Sequence, residues 1–401
     1  MARFAPRLLV LPTPEGAARE LVRIGVDSYG IVEMIPKMRT LCIGLSQLEC
    51  RQANILKQEM LSVGGDAAVA RGTVACSIKT TDCVLIGTAK QLNRLSKKLK
   101  SQPFGLSELA GELDRLLAIS VSAPTAWKTS RRLLSLQRPL IMGILNLTPD
   151  SFSDGGRCFD PELAFEKALQ MEAEGADIID VGGESTRPGA APVSSLEEQN
   201  RIVPVIEKLS GTLKCAISVD TWKSDVASRA LIAGAEIIND ISGFNFDTQM
   251  AGVAAASGAG VVLMHTRGTP DNMQQDTAYD DMMAEITAGL GASIVRARKA
   301  GVSENCIAID PGIGFGKDTA GNLELIRRLA ELTGFGLPLL VGPSRKSFIG
   351  KVLGLENTDD RLFGTAAAVA LSVSHGSLIL RVHDVRAMRH VADMAHAVMH
   401  S

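Results

Sequence analysis

Aromatic side chains make up only 4% of the 401 residues, too few for a platform on which single-stranded nucleic acid would stack. Neither sign of charge is in excess. The formal net charge is −2, so the chain offers nucleic acid no basic field, and no block of like charges marks a disordered tail. Long hydrophobic runs are missing too. Leu8 to Leu11 is too short for a secretory signal. The most apolar region, Ala366–Leu380, is broken by Ser372, Ser374, His375, Gly376 and Ser377, and reads as a buried helix followed by a strand rather than a membrane span. A cytoplasmic protein with no membrane and no nucleic-acid partner is expected. The seven cysteines (42, 50, 76, 83, 158, 215 and 306) are odd in number and widely spaced, with no CxxC or Cys/His cluster for zinc. Reduced thiols acting as small buried hydrophobes fit best. There is no internal repeat and no low-complexity segment.

What is present is a rhythm. From about residue 136 onward, short β-branched runs alternate with stretches of helical period. Strands are expected at Leu140–Asn146, Asp177–Val181, Ala216–Asp220, Glu236–Ile241, Gly260–His265, Cys306–Asp310, Pro338–Gly342 and Ser377–Val382, with helices between them such as Pro161–Glu174, Lys223–Ala233 and Asp280–Ala300. Residues 136–401 suffice for a (β/α)8 TIM barrel, which typically takes about 250 residues. An open doubly wound sheet is the alternative, but no GxGxxG opens a helix after the first strand. Residues 1–130 read as a small α+β domain of unknown role. Its elements are a leading strand or two, strands at Thr40–Gly44, Thr73–Lys79 and Asp82–Gly87, and helices at Gln47–Val63, Ala89–Lys100 and Ser107–Ala118. Ser122–Ser130 reads as the linker.

In a barrel the carboxyl ends of all strands meet on one face, where active sites are built. Each end here is polar: Asn146; Glu184, Ser185, Thr186 and Arg187; Asp220 and Thr221; Asn239 and Asp240; His265; Asp310; Ser344, Arg345, Lys346 and Ser347; Arg381, His383 and Asp384. One polar end is a solvated rim, whereas eight in succession point to a site.

Seven segments carry a resemblance. Asn146–Gly156 reads NLTPDSFSDGG, Gly182–Gly189 GGESTRPG, Ser218–Thr221 SVDT, Asn239–Ser242 NDIS, Asp310–Lys317 DPGIGFGK, Ser344–Gly350 SRKSFIG and Arg381–Val385 RVHDV. In this order they resemble the dihydropteroate synthases across the whole barrel region. Residues 1–135 lie outside the family's common core. The resemblance implies a transferase that joins 6-hydroxymethyl-7,8-dihydropterin pyrophosphate to p-aminobenzoate, releasing pyrophosphate and 7,8-dihydropteroate, a folate precursor. Sulfonamides would act as p-aminobenzoate mimics.

The chemistry suits these groups. A pterin presents amide-like donors and acceptors on one edge, and unpaired polar atoms in a closed pocket are costly. A carboxylate accepts two parallel hydrogen bonds, so Asp220 and Asp310 suit the amino and imino groups. Asn239 both donates and accepts, and Lys346 donates to the ring carbonyl. Taken alone, each Asp reads better as a helix N-cap, and Asp310 also shapes its own Pro311–Gly312 turn. By resemblance, Arg381 stacks on the ring while Arg187 and His383 hold the pyrophosphate, making Arg187, Lys346, Arg381 and His383 the catalytic set. A structural pair between Arg381 and Asp384 is the competing reading. Pyrophosphate travels with Mg2+. The resemblance gives Asn146 as its one protein ligand, with substrate and water supplying the rest.

The p-aminobenzoate carboxylate is expected near Ser347, at the start of a helix after strand seven. The loops Leu147–Cys158, with Phe152 and Asp154, and Thr186–Ser194, with Pro188, complete that site, and Phe315 lies by the pterin pocket. Cationic groups and Mg2+ stabilise the departing pyrophosphate, and the aniline nitrogen attacks a pterin methylene cation, so no protein nucleophile is needed. Two rivals stand beside this reading: a pterin-binding methyltransferase serving a corrinoid, and a non-catalytic pterin-binding protein. The family suggests a homodimer through barrel helices.

Overall fold

The computed structural model of the protein describes residues 7–11, 13–119, 123–148, 161–185 and 192–400. They form two compact units, Met1–Ser122 and Ala123–Ser401.

The first unit opens with helices α1 (Pro14–Arg23) and α2 (Ser28–Met34), where leading strands were expected. Local chemistry favours the helices. Thr13 caps the Gly16 N–H with Pro14 just inside the first turn, and Asp27 caps the Gly30 N–H. There follow β1 (Thr40–Glu49), α3 (Cys50–Ser62), β2 (Asp66–Val69), β3 (Thr80–Thr88), α4 (Ala89–Leu99) and α5 (Leu106–Ile119). The strand expected at Thr73–Lys79 is instead a run of turns. There the Thr73, Cys76 and Ser77 N–H groups bond the carbonyls of Ala70, Thr73 and Gly72, which removes them from any ladder. The sheet order is β1-β3-β2, antiparallel throughout. Leu56, Met60, Leu85, Leu92, Leu95 and Leu113 are central to its core. Two thiols break the expectation of burial. Cys42 lies on the outward parity of β1 and Cys76 in a turn, and both are exposed; Cys50, Cys83 and Cys306 are buried and Cys215 is half-buried. Cys158 lies outside the described residues.

In the second unit, the expected linker carries a strand. Ala126–Lys128 (β4) pairs with Leu133–Ser135 (β5) in a hairpin. Eight parallel strands follow: β6 (Leu140–Asn146), β7 (Ile178–Gly182), β8 (Ala216–Asp220), β9 (Ile237–Asp240), β10 (Gly260–Met264), β11 (Ile307–Asp310), β12 (Leu340–Val341) and β13 (Ile379–Val382). The ring closes where the Ile309 N–H donates to the Pro338 carbonyl at 2.9 Å, beside an Ile309–Leu339 bridge. Helices cover the outside: α6 (Pro161–Ala173), α7 (Ser195–Ser210), α8 (Ser224–Ala233), α9 (Met250–Ser257), α10 (Met282–Ala300), α11 (Thr319–Arg328), α12 (Ser347–Leu353), α13 (Leu362–Ser374) and α14 (Val385–His400). This is a (β/α)8 barrel. None of the described helices is long and apolar enough to cross a membrane.

The barrel interior begins with an apolar layer. Met142, Ile178, Ala216, Ile237, Val262, Ala308 and Ile379 cluster with Trp127 of β4, which is fully buried and donates from its indole N–H to the Cys306 carbonyl at 2.8 Å. The hairpin therefore plugs the amino end of the barrel. Thr129 and Arg132 tie it down, each bonding the buried Glu236 carboxylate at 2.8 Å.

Candidate active site

Side chains alternate along a strand with period two, so the apolar interior layer dictates which residues come next on the inward face. Two positions above Ile178 is Asp180. Above Ala216 come Ser218 and then Asp220, above Ile237 Asn239, above Ala308 Asp310, and above Ile379 Arg381. Parallel register sets Asp180 level with Ser218, and Asp220 level with Asn239 and Gly182.

These groups meet. Arg381 donates from Nε to Asp180 Oδ2 and from Nη2 to Asp220 Oδ2, each at 2.6 Å. Asn239 Nδ2 donates to the same Asp180 oxygen at 3.0 Å. The other oxygens, Asp180 Oδ1 and Asp220 Oδ1, are buried without a partner, as is Ser218 Oγ. Buried acceptors left this way cost free energy that a donor-bearing ligand would recover. Asp310 Oδ1 accepts from the Gly312 N–H at 2.7 Å. The turn after β11 needs glycine at two points. Gly312 has φ +73° and a Cβ there would sit 2.0 Å from the His265 carbonyl oxygen; Gly314 has φ +81° and a Cβ would press within 2.8 Å of Lys346 Cδ. Lys346 therefore lies against this turn, donating to the Ile313 carbonyl at 2.8 Å with its ammonium 4.1 Å from the centre of the Phe315 ring.

Burial pushes the Asp220 and Asp310 carboxyls above the ordinary carboxylate range, against the pull of Arg381 on Asp220 and of the Gly312 N–H on Asp310. Burial, then Arg381, pushes Lys346 down, while Asp310 and Asp220 oppose that shift. Burial works against the charge of Arg381 too, but Asp180 and Asp220 more than offset it and hold the guanidinium ionised. The protonation of Asp220, Asp310, Lys346 and Arg381 is thus set by one another's charges as well as by burial, which requires proximity.

Beside this cluster, Ser344 Oγ and His383 Nδ1 lie 3.0 Å apart and the His383 backbone N–H donates to the same hydroxyl at 3.2 Å, joining strands seven and eight. The Arg381–Asp384 pair does not form. Asp384 instead grips Arg345 bidentately at 3.0 and 2.6 Å, and Arg345 sits in the left-handed region with φ +57°. Ser347 opens α12, with Lys346 as its N-cap. Asn146 Oδ1 and Asp220 Oδ2 each lie 3.7 Å from where a Gly182 Cβ would be, so both side chains flank that glycine. Phe152, Thr186, Arg187 and Pro188 lie outside the described residues. Glu184 and Val193, on either side of the last three, are both tied to Lys223: its ammonium meets Glu184 Oε2 at 2.8 Å and the Val193 carbonyl at 2.6 Å.

Two residues were not singled out from sequence. Asp180 lies inside a strand rather than at its end, and the signal for it is a lone charge at inward parity in an otherwise apolar strand. Lys317 is buried beneath the β11 turn. It donates to the Gly312 and Phe315 carbonyls at 3.1 and 3.0 Å, so it braces the turn; burial pushes it down to about 7.

Comparison with known proteins gives one concordant answer. Residues 142–383 match the family described as pterin binding enzyme. The dihydropteroate synthase of Synechocystis is 47% identical over 262 residues, 65% of this chain and 91% of the relative. A probable bifunctional folylpolyglutamate synthase/dihydropteroate synthase of Halobacterium salinarum is 43% identical over 343 residues, 85% of this chain but only 41% of that longer relative. The crystal structure of Xanthomonas albilineans dihydropteroate synthase with 4-aminobenzoic acid superposes with a TM-score of 0.65 at 42% identity, covering 69% of this chain and 99% of the other. The chain belongs to the dihydropteroate synthase family of pterin-binding enzymes.

Proposed function

We propose that the ring of Asp180, Asp220, Asn239, Asp310, Lys346 and Arg381 seats the dihydropterin, and that the barrel alone carries the chemistry. The reaction is the condensation of 6-hydroxymethyl-7,8-dihydropterin pyrophosphate with p-aminobenzoate to give 7,8-dihydropteroate and pyrophosphate. The observation that carries the seat is the pair of buried carboxylate oxygens on Asp180 and Asp220 that lack donors. The amino and imino N–H groups of a pterin supply what those oxygens lack. Arg381, locked between the same two carboxylates, presents a flat cation on which the ring can stack. Lys346 donates to the ring carbonyl, and Phe315 walls the pocket.

His383, held by Ser344, takes the diphosphate side, with Arg187 as its cationic partner. Ser347 and the first N–H groups of α12, with Phe152, Thr186 and Pro188, take the p-aminobenzoate end. Asn146, whose Oδ1 lies beside Gly182, offers a single neutral oxygen and so fits a Mg2+ that arrives on the diphosphate. When bound, the ion neutralises charge on the leaving group. The protein's own part is to orient the pterin methylene, exclude water and leave the aniline nitrogen a clear approach. The cytoplasm is the compartment this reading assigns. A homodimer fits the exposed Phe363 and Leu371 of α13 and Met394 and Val398 of α14.

Pyrophosphate release tests the reading. It should require p-aminobenzoate, stop with a chelator, return with Mg2+ and fall at least about 100-fold in Lys346→Ala. Methyl transfer from a methylated pterin, with no pyrophosphate released, would overturn it.

A further inference from the structure

The N-terminal unit runs β1, α3, β2, β3, α4, and its sheet order is β1-β3-β2 with both pairings antiparallel. This is a split β-α-β arrangement without its last strand, whose slot lies beside β1. Here α5 follows α4 instead, so among the described residues β1 has a neighbouring strand on one side only. The two edges of the sheet differ. β2 has four residues and opens with Asp66, the short, charged form by which natural edges avoid further pairing. β1 has ten residues and carries neither charge nor proline from Thr40 to Leu48. Its core-facing side chains record the missing cover. On the central strand Cys83 and Leu85 are 2% and 0% exposed, whereas Leu41, Leu45 and Leu48 of β1 are only half-buried.

We propose that a second copy of this chain fills the slot, its β1 pairing antiparallel to this one across a two-fold axis at Ile43. The strand is self-complementary about that residue. Leu41 then faces Leu45 and Ile43 faces its own copy, all on the core-facing parity, so the half-buried leucines cover each other. Cys42, exposed on the outward parity, faces Gly44, around which a Cβ would meet nothing within 4 Å. A slip of one residue would turn one copy's leucines to solvent, so the hydrophobic pattern sets the register. The irregularity between Leu45 and Leu48, where Gln47 has φ +60°, ends the flat stretch and confines the new ladder to about Thr40–Ser46. A foreign strand would satisfy the backbone equally, but the leucine match with glycine opposite cysteine is a property of β1 against itself. The contact is isologous, so one partner strand fills each β1 edge and leaves none open.

Full-length Gly44→Cys protein tests this register. Its new thiol would lie opposite Cys42 of the second copy with Cβ atoms about 5 Å apart, close enough to join after a small adjustment. Glutathione disulfide is the oxidant: each new bond takes two thiols, and one glutathione disulfide is reduced to two thiols. The expected result is covalent dimer in most of the protein, with mapped peptides joining position 42 to position 44. Cys42→Ser/Gly44→Cys leaves the new thiol as the only one on β1; its symmetry mate lies about 7–8 Å away on the diagonal, and no link through position 44 should form. Parent-like hydrogen-exchange protection across β3 and α4 shows that the N-terminal unit of both variants is folded. Because the readout reports positions 42 and 44 alone, it is independent of any contact between barrels. No cross-link in folded Gly44→Cys protein, or a link from position 44 to position 44, overturns the proposal.

Discussion

The two ends of the same eight strands have opposite characters. At the amino end the inward positions are Met142, Ile178, Ala216, Ile237, Val262, Ala308 and Ile379, closed off by Trp127. One pleat further on, five of these seven become Asp180, Ser218, Asn239, Asp310 and Arg381, while Met142 and Val262 are followed by the apolar Ile144 and Met264; Asp220 lies one pleat above Ser218. The backbone is regular throughout, so the change is one of side chains alone. One end buries apolar surface and favours folding. The other buries charges that pair with one another yet leave acceptors unfilled, a cost to stability that only a ligand offsets. On the proposed function, stability and activity are therefore separable by residue in this barrel.

The separation can be broken from either end. Arg381→Ala should have the largest effect, because it strands Asp180 and Asp220 together without their cation. Synthase activity should be lost, and denaturant titration should show about 3–5 kcal/mol less stability. Trp127→Ala should cost a similar 3–5 kcal/mol through the cavity it leaves, yet kcat/KM measured below the lowered melting point should match the parent. A fall in kcat/KM with unchanged stability would show that the two ends are not independent. Asp384→Asn should act more mildly. It loosens the bidentate hold on Arg345, whose left-handed backbone presents Ser344 and Lys346. KM for the pterin pyrophosphate should rise about 10-fold with a smaller change in kcat, and Arg345→Lys, which keeps charge but loses the fork, should behave alike in steady-state kinetics.

The smallest effect is on pH dependence. Asp220 and Asp310 must be ionised to accept, and burial has raised their pKa values, so pterin affinity should fall as pH drops through a point above the usual carboxylate range. Lys346 must be protonated to donate, and burial has lowered its pKa, so affinity should also fall as pH rises through a point below the usual lysine range. The resulting bell is narrower than ordinary side chains would give, and Lys346→Arg should remove its alkaline limb in a fluorescence titration.

How much of this was legible depends on whether local chemistry decides the structure. All eight barrel strands are readable because short buried runs flanked by helical period leave little choice, and their polar ends identify the face of the site. Asp180 was hidden because its role follows from inward parity within β7, not from a strand end. The partner of Asp384 was hidden because Arg381 is near it in the chain whereas Arg345 comes from the end of the preceding barrel strand, and only the fold chooses between them. The N-terminal errors have a different cause. Apolar residues at short spacing before Thr40 fit a strand as well as a helix until the caps at Thr13 and Asp27 are weighed. At Thr73–Lys79 turn bonds within the segment outcompete pairing.

Calorimetric titration of 6-hydroxymethylpterin into parent and Asp220→Asn protein addresses the seat itself. The substitution keeps size and shape but puts an amide N–H where Arg381 or the ring must donate. Affinity should weaken about 10- to 100-fold while the melting temperature moves little. Equal affinity in the two proteins would place the pterin elsewhere.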